Sequence, residues 1–208
     1  MRHSSIAAVA AAFTMGALAL AQDGRPASPA GTSATEVGGK YVKGQEGPVY
    51  QGGKWIEISY GRPIKRGRDL WGSGATYGKE VNPDAPVWRA GANVTTRLKT
   101  EIPLLIAGKT VAPGEYSVFI DLKPNNWTLI VSRWPHQTRY DPKNTRELWG
   151  AYGYTPDKDV VRAPMTLATL PLAIDQLTWE FVDMTDAGGK LAIMWDKVVA
   201  TVPFKVGT

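Results

Sequence analysis

Residues 113–132 read PGEYSVFIDLKPNNWTLIVS, and this stretch decides the fold. Pro113-Gly114 is a strong turn pair, with Pro fixing φ and Gly accepting a positive one. Tyr116, Val118 and Ile120 then recur at every second position, so they share one face of a strand over residues 115–122. Lys123-Pro124-Asn125-Asn126 breaks that alternation, and residues 127–132 pair back as the second half of a hairpin.

Outward from this hairpin the same period repeats. Upstream, residues 55–60 alternate, with Ile56, Ile58 and Tyr60 on one face and Trp55, Glu57 and Ser59 on the other. Residues 94–100 alternate with Arg97 and Lys99 on the wetter side, and residues 103–106 run into a turn at Ala107-Gly108. Downstream, strands are expected over residues 160–170, 177–183, 191–195 and 198–206, with Asp186-Ala187-Gly188-Gly189 as a turn. Asp141-Pro142 predicts the start of a short helix over residues 141–148, with Asp as N-cap and Pro at its first position. About eight or nine short strands with turns every 8 to 12 residues give an all-β fold. The expectation is an antiparallel β-sandwich or jelly-roll-like domain with long irregular loops.

Three segments follow from composition. Residues 1–21 have the form of a secretory signal peptide: Arg2 and His3, an apolar run from Ile6 to Leu20, and an A-x-A site at Ala19-Leu20-Ala21. The run is shorter than the ~20 apolar residues a membrane span needs, so no span is expected after signal removal. The chain is then exported, to the periplasm or the outside of the cell. Residues 22–48 are dense in Gly, Pro, Ser, Thr and Ala, too poor in large apolar groups to offset ordering entropy, and read as a flexible linker. The β domain is expected over residues 49–208. Cysteine is absent, so stability must come from a packed core, to which eight Trp and eight Tyr contribute. The net charge of +5 is mild. Together with export it argues against nucleic acid as a partner. The oligomeric state is left open.

Between the first strand and the regular region lies YGRPIKRGRDLWGSGATYGKEVNPDAPVWRAGAN, residues 60–93. A rigid β scaffold holding a long basic loop is where function tends to sit. Arg62, Arg68 and Arg89 present planar forks that pair with carboxylate or phosphate. Asn93 both donates and accepts, and Tyr77 and Trp88 offer apolar walls. The reading is a ligand-binding loop pocket for a small anionic or carbohydrate-like molecule of the cell envelope. Against it stands a structural reading, a ligand-free structural protein of the envelope in which the same Arg side chains bridge to Asp69, Glu57 or Asp121 and lock the loop. Lys65 and Arg66 fit a solvated turn. A further alternative is an enzyme acting on acidic glycans, with Arg as carboxylate clamp and Tyr77 or Tyr116 as acid or base.

Other chemistries have weaker support. His136 is the lone His beyond the signal, too few for a zinc site without Cys, and no Gly-x-Ser-x-Gly element accompanies it. Asp157 and Asp159 form a D-x-D that leads straight into a strand and reads as a solvated turn. Glu57, Glu115, Asp121 and Glu180 could supply a glycosidase pair, but Glu57, Glu115 and Glu180 sit on strands where an outward charge explains them as well. No cofactor or metal is expected. Trp127, Trp179 and Trp195 fall on strand faces and read as core. Trp71, Trp134 and Trp149 fall in irregular regions and are better placed for contacts.

Several landmarks together carry a resemblance. They are Gly61-Arg62-Pro63, Gly67-Arg68, Tyr77-Gly78-Lys79, Val87-Trp88-Arg89-Ala90-Gly91-Ala92-Asn93, Gly108-Lys109, Pro113-Gly114-Glu115-Tyr116-Ser117, Trp149-Gly150-Ala151-Tyr152 and Asp157-Lys158-Asp159-Val160. The chain resembles the exported bacterial domain-of-unknown-function twenty-nine-eleven family over roughly residues 55–206. The resemblance implies a β-rich exported domain and carries no activity with it. Relative to that pattern, residues 80–86 intervene before Val87-Trp88-Arg89, and residues 133–148 are longer.

Overall fold

The computed structural model describes residues 27–137, 139, 141, 143 and 150–207. The expected export signal, Trp149 and most of the expected helix over residues 141–148 lie outside them. The described residues form β1 (Ala30–Val37), β2 (Lys40–Lys43), β3 (Pro48–Gln51), β4 (Lys54–Gly61), β5 (Thr96–Thr100) and β6 (Leu104–Ile106). They continue with β7 (Lys109–Val111), β8 (Gly114–Asp121), β9 (Thr128–Ser132), β10 (Asp159–Pro164), β11 (Thr166–Thr185) and β12 (Gly188–Val206). Short 3-10 turns occur at Gly74–Thr76 and Pro156–Lys158.

Six strands pair in the order β1-β4-β5-β8-β9-β10 and four in the order β11-β12-β6-β7, all antiparallel. The two sheets face each other across a single core. Ile56, Ile58, Tyr60, Tyr116, Val118 and Ile120 all enter it, as their spacing predicts. Trp179, Trp195 and Phe204 meet them from the second sheet, and Trp127 joins from the turn before β9. β8 is buried on both faces, because Phe119 points away from that core into a second cluster with Val87, Ile130, Ala151 and Tyr154. Segments from two loops therefore cover the outside of the six-stranded sheet. The β8–β9 turn places Asn125 at φ 57°, a left-handed position that Asn tolerates.

The linker expectation is corrected. Within residues 22–48, Ala30–Val37 forms an edge strand paired with β4 along its whole length, from Ala30 opposite Gly61 to Val37 opposite Lys54. An edge strand needs one partner and little burial. Here only Ser33 and Val37 are buried, so its small polar residues suffice. β2 and β3 pair with each other outside both sheets, and all eight of their residues are exposed. This projecting hairpin carries Tyr41 against Tyr50, ring centroids 5.2 Å apart. Its base is tied by Glu36, which accepts from the Tyr50 hydroxyl at 2.6 Å and from the Gly53 amide.

The C-terminal strands also differ from expectation. The separate short strands read over residues 160–206 belong to β10 and to one long ribbon, β11 and β12, 20 and 19 residues long. Register shifts after Thr169, Ile174 and Val182, and Asp183 and Asp196 at φ 53°, bend the ribbon where the alternation lapses. A bulge adds a residue to one strand and turns it without ending it.

Candidate functional site

The basic loop begins where β4 ends and immediately docks on β11. The Arg62 amide donates to Pro29 O at 2.8 Å, Lys65 N to Asp175 O at 2.6 Å, and Leu177 N to Pro63 O at 3.0 Å. Arg62 lies with its stem over Gly31, where an added Cβ would come within 2.3 Å of its Cδ. Its guanidinium reaches Leu177 O at 3.4 Å and Thr178 Oγ1 at 3.5 Å. These long contacts make Arg62 a brace between β1 and β11. Lys65 pairs with Asp196.

The chain then reverses through Arg66 and Gly67, both at positive φ. Arg68 is pinned by all three side-chain nitrogens: Nε to Lys65 O at 3.0 Å, Nη2 to Ile64 O at 2.7 Å and Nη1 to Glu80 Oε1 at 3.0 Å. Its guanidinium carbon also lies 5.7 Å from the Trp195 ring centroid, within cation–π range. Arg66 is exposed and forms no ion pair among the described residues. Ala27, Ser28, Pro63, Ile64, Arg66 and Arg68 line a groove of about 430 Å³. Asn93 holds its far wall by donating Nδ2 to Ser28 O at 2.9 Å.

The six residues singled out from the sequence thus divide between two surfaces and the core. Arg68 lines the groove, and Arg62 and Asn93 hold the segment that walls it. Trp88 is 2% exposed and is core, not an open wall. Its amide and carbonyl both bond Ile120, at 2.9 and 2.8 Å, so the loop strand is stitched to β8. Arg89 is half-buried beside it and is not among the groove-lining residues. Tyr77 lines a different, smaller pocket with Lys79, Asn82 and Asp121. Of the carboxylates proposed as locks, Asp69 caps the amides of Trp71 and Gly72; the lock on Arg68 is Glu80, which sequence reasoning missed. Arg66 lies on the turn its sequence predicts, and the reversal through Arg66 and Gly67, both at positive φ, puts it on the rim.

Trp71 and Trp134 are half-buried. Trp71 packs within 4.7 to 6.2 Å of Trp88, Trp127 and Trp195, forming a four-indole cluster under the loop. Tyr116 and Tyr77, the proton donors of the glycan-enzyme reading, bond Ala112 O at 2.8 Å and the Trp127 indole N–H at 2.8 Å. Glu115 pairs with Arg97 at 2.6 Å and lies 3.5 Å from His136. Glu180 accepts from Ser33 at 2.6 Å.

A polar network sits at the outer face of β8, β9 and β10. Arg162 donates to Asp159 Oδ2 at 2.9 Å, to Tyr154 Oη at 3.0 Å and to Asp121 Oδ2 at 3.3 Å. The Tyr154 hydroxyl donates to Asp159 at 2.6 Å. The D-x-D expectation is corrected at its second member: Asp157 is exposed, but the Asp159 side chain is only 6% exposed. Among the described residues no group of three or more His, Cys, Asp or Glu is placed to hold a metal. Burial, then the bond to Asp159, raises the Tyr154 phenol well above its usual value near 10. A raised phenol favours the folded state while it is neutral. That contribution is complete below about pH 10 and is lost as pH climbs toward the folded value. The stability gap between the protein and Tyr154→Phe, measured by urea unfolding, should be constant through neutral pH and narrow above about pH 10. A gap that widens there would contradict the network.

The family profile described as "Protein of unknown function (DUF2911)" matches residues 45–204. The match begins inside the β2–β3 hairpin, so β1 lies outside it although β1 completes the sheet. No curated protein and no solved structure matches this chain.

Proposed function

We propose, from the premise that the chain belongs to the DUF2911 family, whose description assigns no activity, that it is a binding module. Its ligand is a small molecule bearing a carboxylate or phosphate, seated in the groove between Ser28 and the 63–68 turn. The observation that supports this is the pairing of Arg66 with Arg68 on one rim. Arg68 is held in place by two backbone carbonyls and Glu80, which leaves its position fixed before any ligand arrives. Arg66 is exposed and forms no ion pair among the described residues, so its fork is available for bidentate pairing. A groove of about 430 Å³ lies within the size range of small-molecule sites.

The test is a thermal-shift and calorimetric screen with dicarboxylates, sugar acids and sugar phosphates. At least one should raise the melting temperature. Arg66→Ala should weaken that ligand about tenfold or more, because a bond to a charged group is worth roughly 1.5–3 kcal/mol. Arg66 is exposed, so the variant's own melting temperature should stay near that of the wild type. Silence from every anion, or unaltered affinity in the variant, would refute the assignment.

A further inference from the structure

The pocket that takes Tyr77 lies between the 77–86 loop and the end of β8. It measures about 170 Å³ and is lined by Tyr77, Gly78, Lys79, Asn82, Pro86, Asp121 and Leu122. We propose that it binds a neutral polyhydroxylated ligand, a single sugar ring or its alditol, independently of the Arg66–Arg68 groove.

The loop wall is built before any ligand arrives. Gly78 N bonds Trp71 O at 2.7 Å, Lys79 N bonds Thr76 O at 3.1 Å, and Asn82 N bonds Gly78 O at 2.9 Å. Gly78 sits at φ 74°, and a Cβ there would lie 3.2 Å from Leu122 Cδ1, so the loop rests close on the floor of the pocket. Asn82 Nδ2 donates to Ala85 O at 2.9 Å, which fixes the amide and leaves Oδ1 as its acceptor. Lys79 Nζ donates one hydrogen to Pro83 O at 3.0 Å and keeps two.

The floor is held from behind. Asp121 Oδ2 takes Arg162 at 3.3 Å and Lys123 at 3.4 Å. Arg162 is in turn anchored by the buried Asp159. This leaves Asp121 Oδ1 as an acceptor of fixed position. Tyr77 Oη accepts the Trp127 indole N–H at 2.8 Å, so its own proton is left to donate.

The resulting set is two acceptors, Asp121 and Asn82, and two donors, Tyr77 and Lys79. Both signs of charge stand around one small cavity. Asp121, already held by Arg162 and Lys123, serves as an acceptor, and Lys79 as a donor. A hydroxyl group donates and accepts at once, so a polyol satisfies all four without an unpaired charge. The volume is below the ~300 Å³ at which drug-sized sites begin, which limits the occupant to one ring.

Ligand-observed saturation-transfer NMR on the protein with glucose, galactose, N-acetylglucosamine and mannitol at millimolar concentration tests this. At least one should bind. Asp121→Asn and, separately, Lys79→Ala should each weaken it, the first by about tenfold. Arg66→Ala should leave it unchanged. Lys79 is exposed, so its variant keeps the test valid should Asp121→Asn fail to fold. The proposal is overturned if no neutral sugar or alditol shows transfer, if both pocket variants bind as the wild type does, or if Arg66→Ala abolishes the signal. The anion screen above uses other ligands and another residue, so the two sites stand or fall separately.

Discussion

Trp88→Ala should lose about 3–5 kcal/mol of stability, the usual cost of emptying a buried indole site. Trp88 is 2% exposed and stacks at 11° on Trp195, with centroids 6.3 Å apart. Trp71 and Trp127 meet its edges at 6.0 and 6.2 Å. The cavity would open under the basic loop, where Trp88 is the stitch to Ile120, so the surrounding chain has little freedom to collapse into it. At roughly 2–4 °C per kcal/mol for a chain of this size, the melting temperature should fall by about 6–20 °C. Circular dichroism melts of Trp88→Ala beside Trp55→Ala give the comparison. Trp55 is 50% exposed on β4, and its variant should change little. Equal, small effects in both would mean that Trp88 faces solvent after all.

A chain starting at residue 49, where composition alone places the domain boundary, should be at least about 3 kcal/mol less stable than one starting at residue 27. It loses the burial of Val37, worth roughly 1.5–3 kcal/mol, and the ladder along eight residue pairs to β4, at a net of about 1 kcal/mol per bond before ordering entropy is offset. It also loses the Ser33–Glu180 bond and the Pro29 acceptor for Arg62. β4 would become a naked edge carrying Trp55, Ile56 and Ile58, so poor solubility should accompany the loss. Urea unfolding and size-exclusion chromatography of the two chains settle the matter. Matching midpoints would show that β1 is dispensable.

These two cases also mark what could be read from residue order. Strands whose one face meets the core announce themselves by alternation, and Ile56, Ile58 and Tyr60 or Tyr116, Val118 and Ile120 were legible for that reason. β1 was not, because it buries only Ser33 and Val37 and owes its form to a neighbour. The bent ribbon of β11 and β12 looked like several strands because a bulge interrupts period two just as a turn does. In the site, Arg68 was legible because its partners Ile64 and Lys65 are local. The distance between Arg62 and Arg89 depends on how residues 69–88 fold back, and nothing periodic encodes that. Trp88 looked like a surface wall because its neighbours are Gly, Pro and Arg. Only pairing with Ile120, some thirty residues on, makes it core.

The β2–β3 hairpin carries a last consequence. Val37 and Lys54 already face each other as the closing pair of β1 and β4. The body is therefore joined at that point whether the intervening chain is sixteen residues or two. The hairpin is an insertion point: its length and surface are free to diverge between related chains without any retuning of the sandwich beneath it.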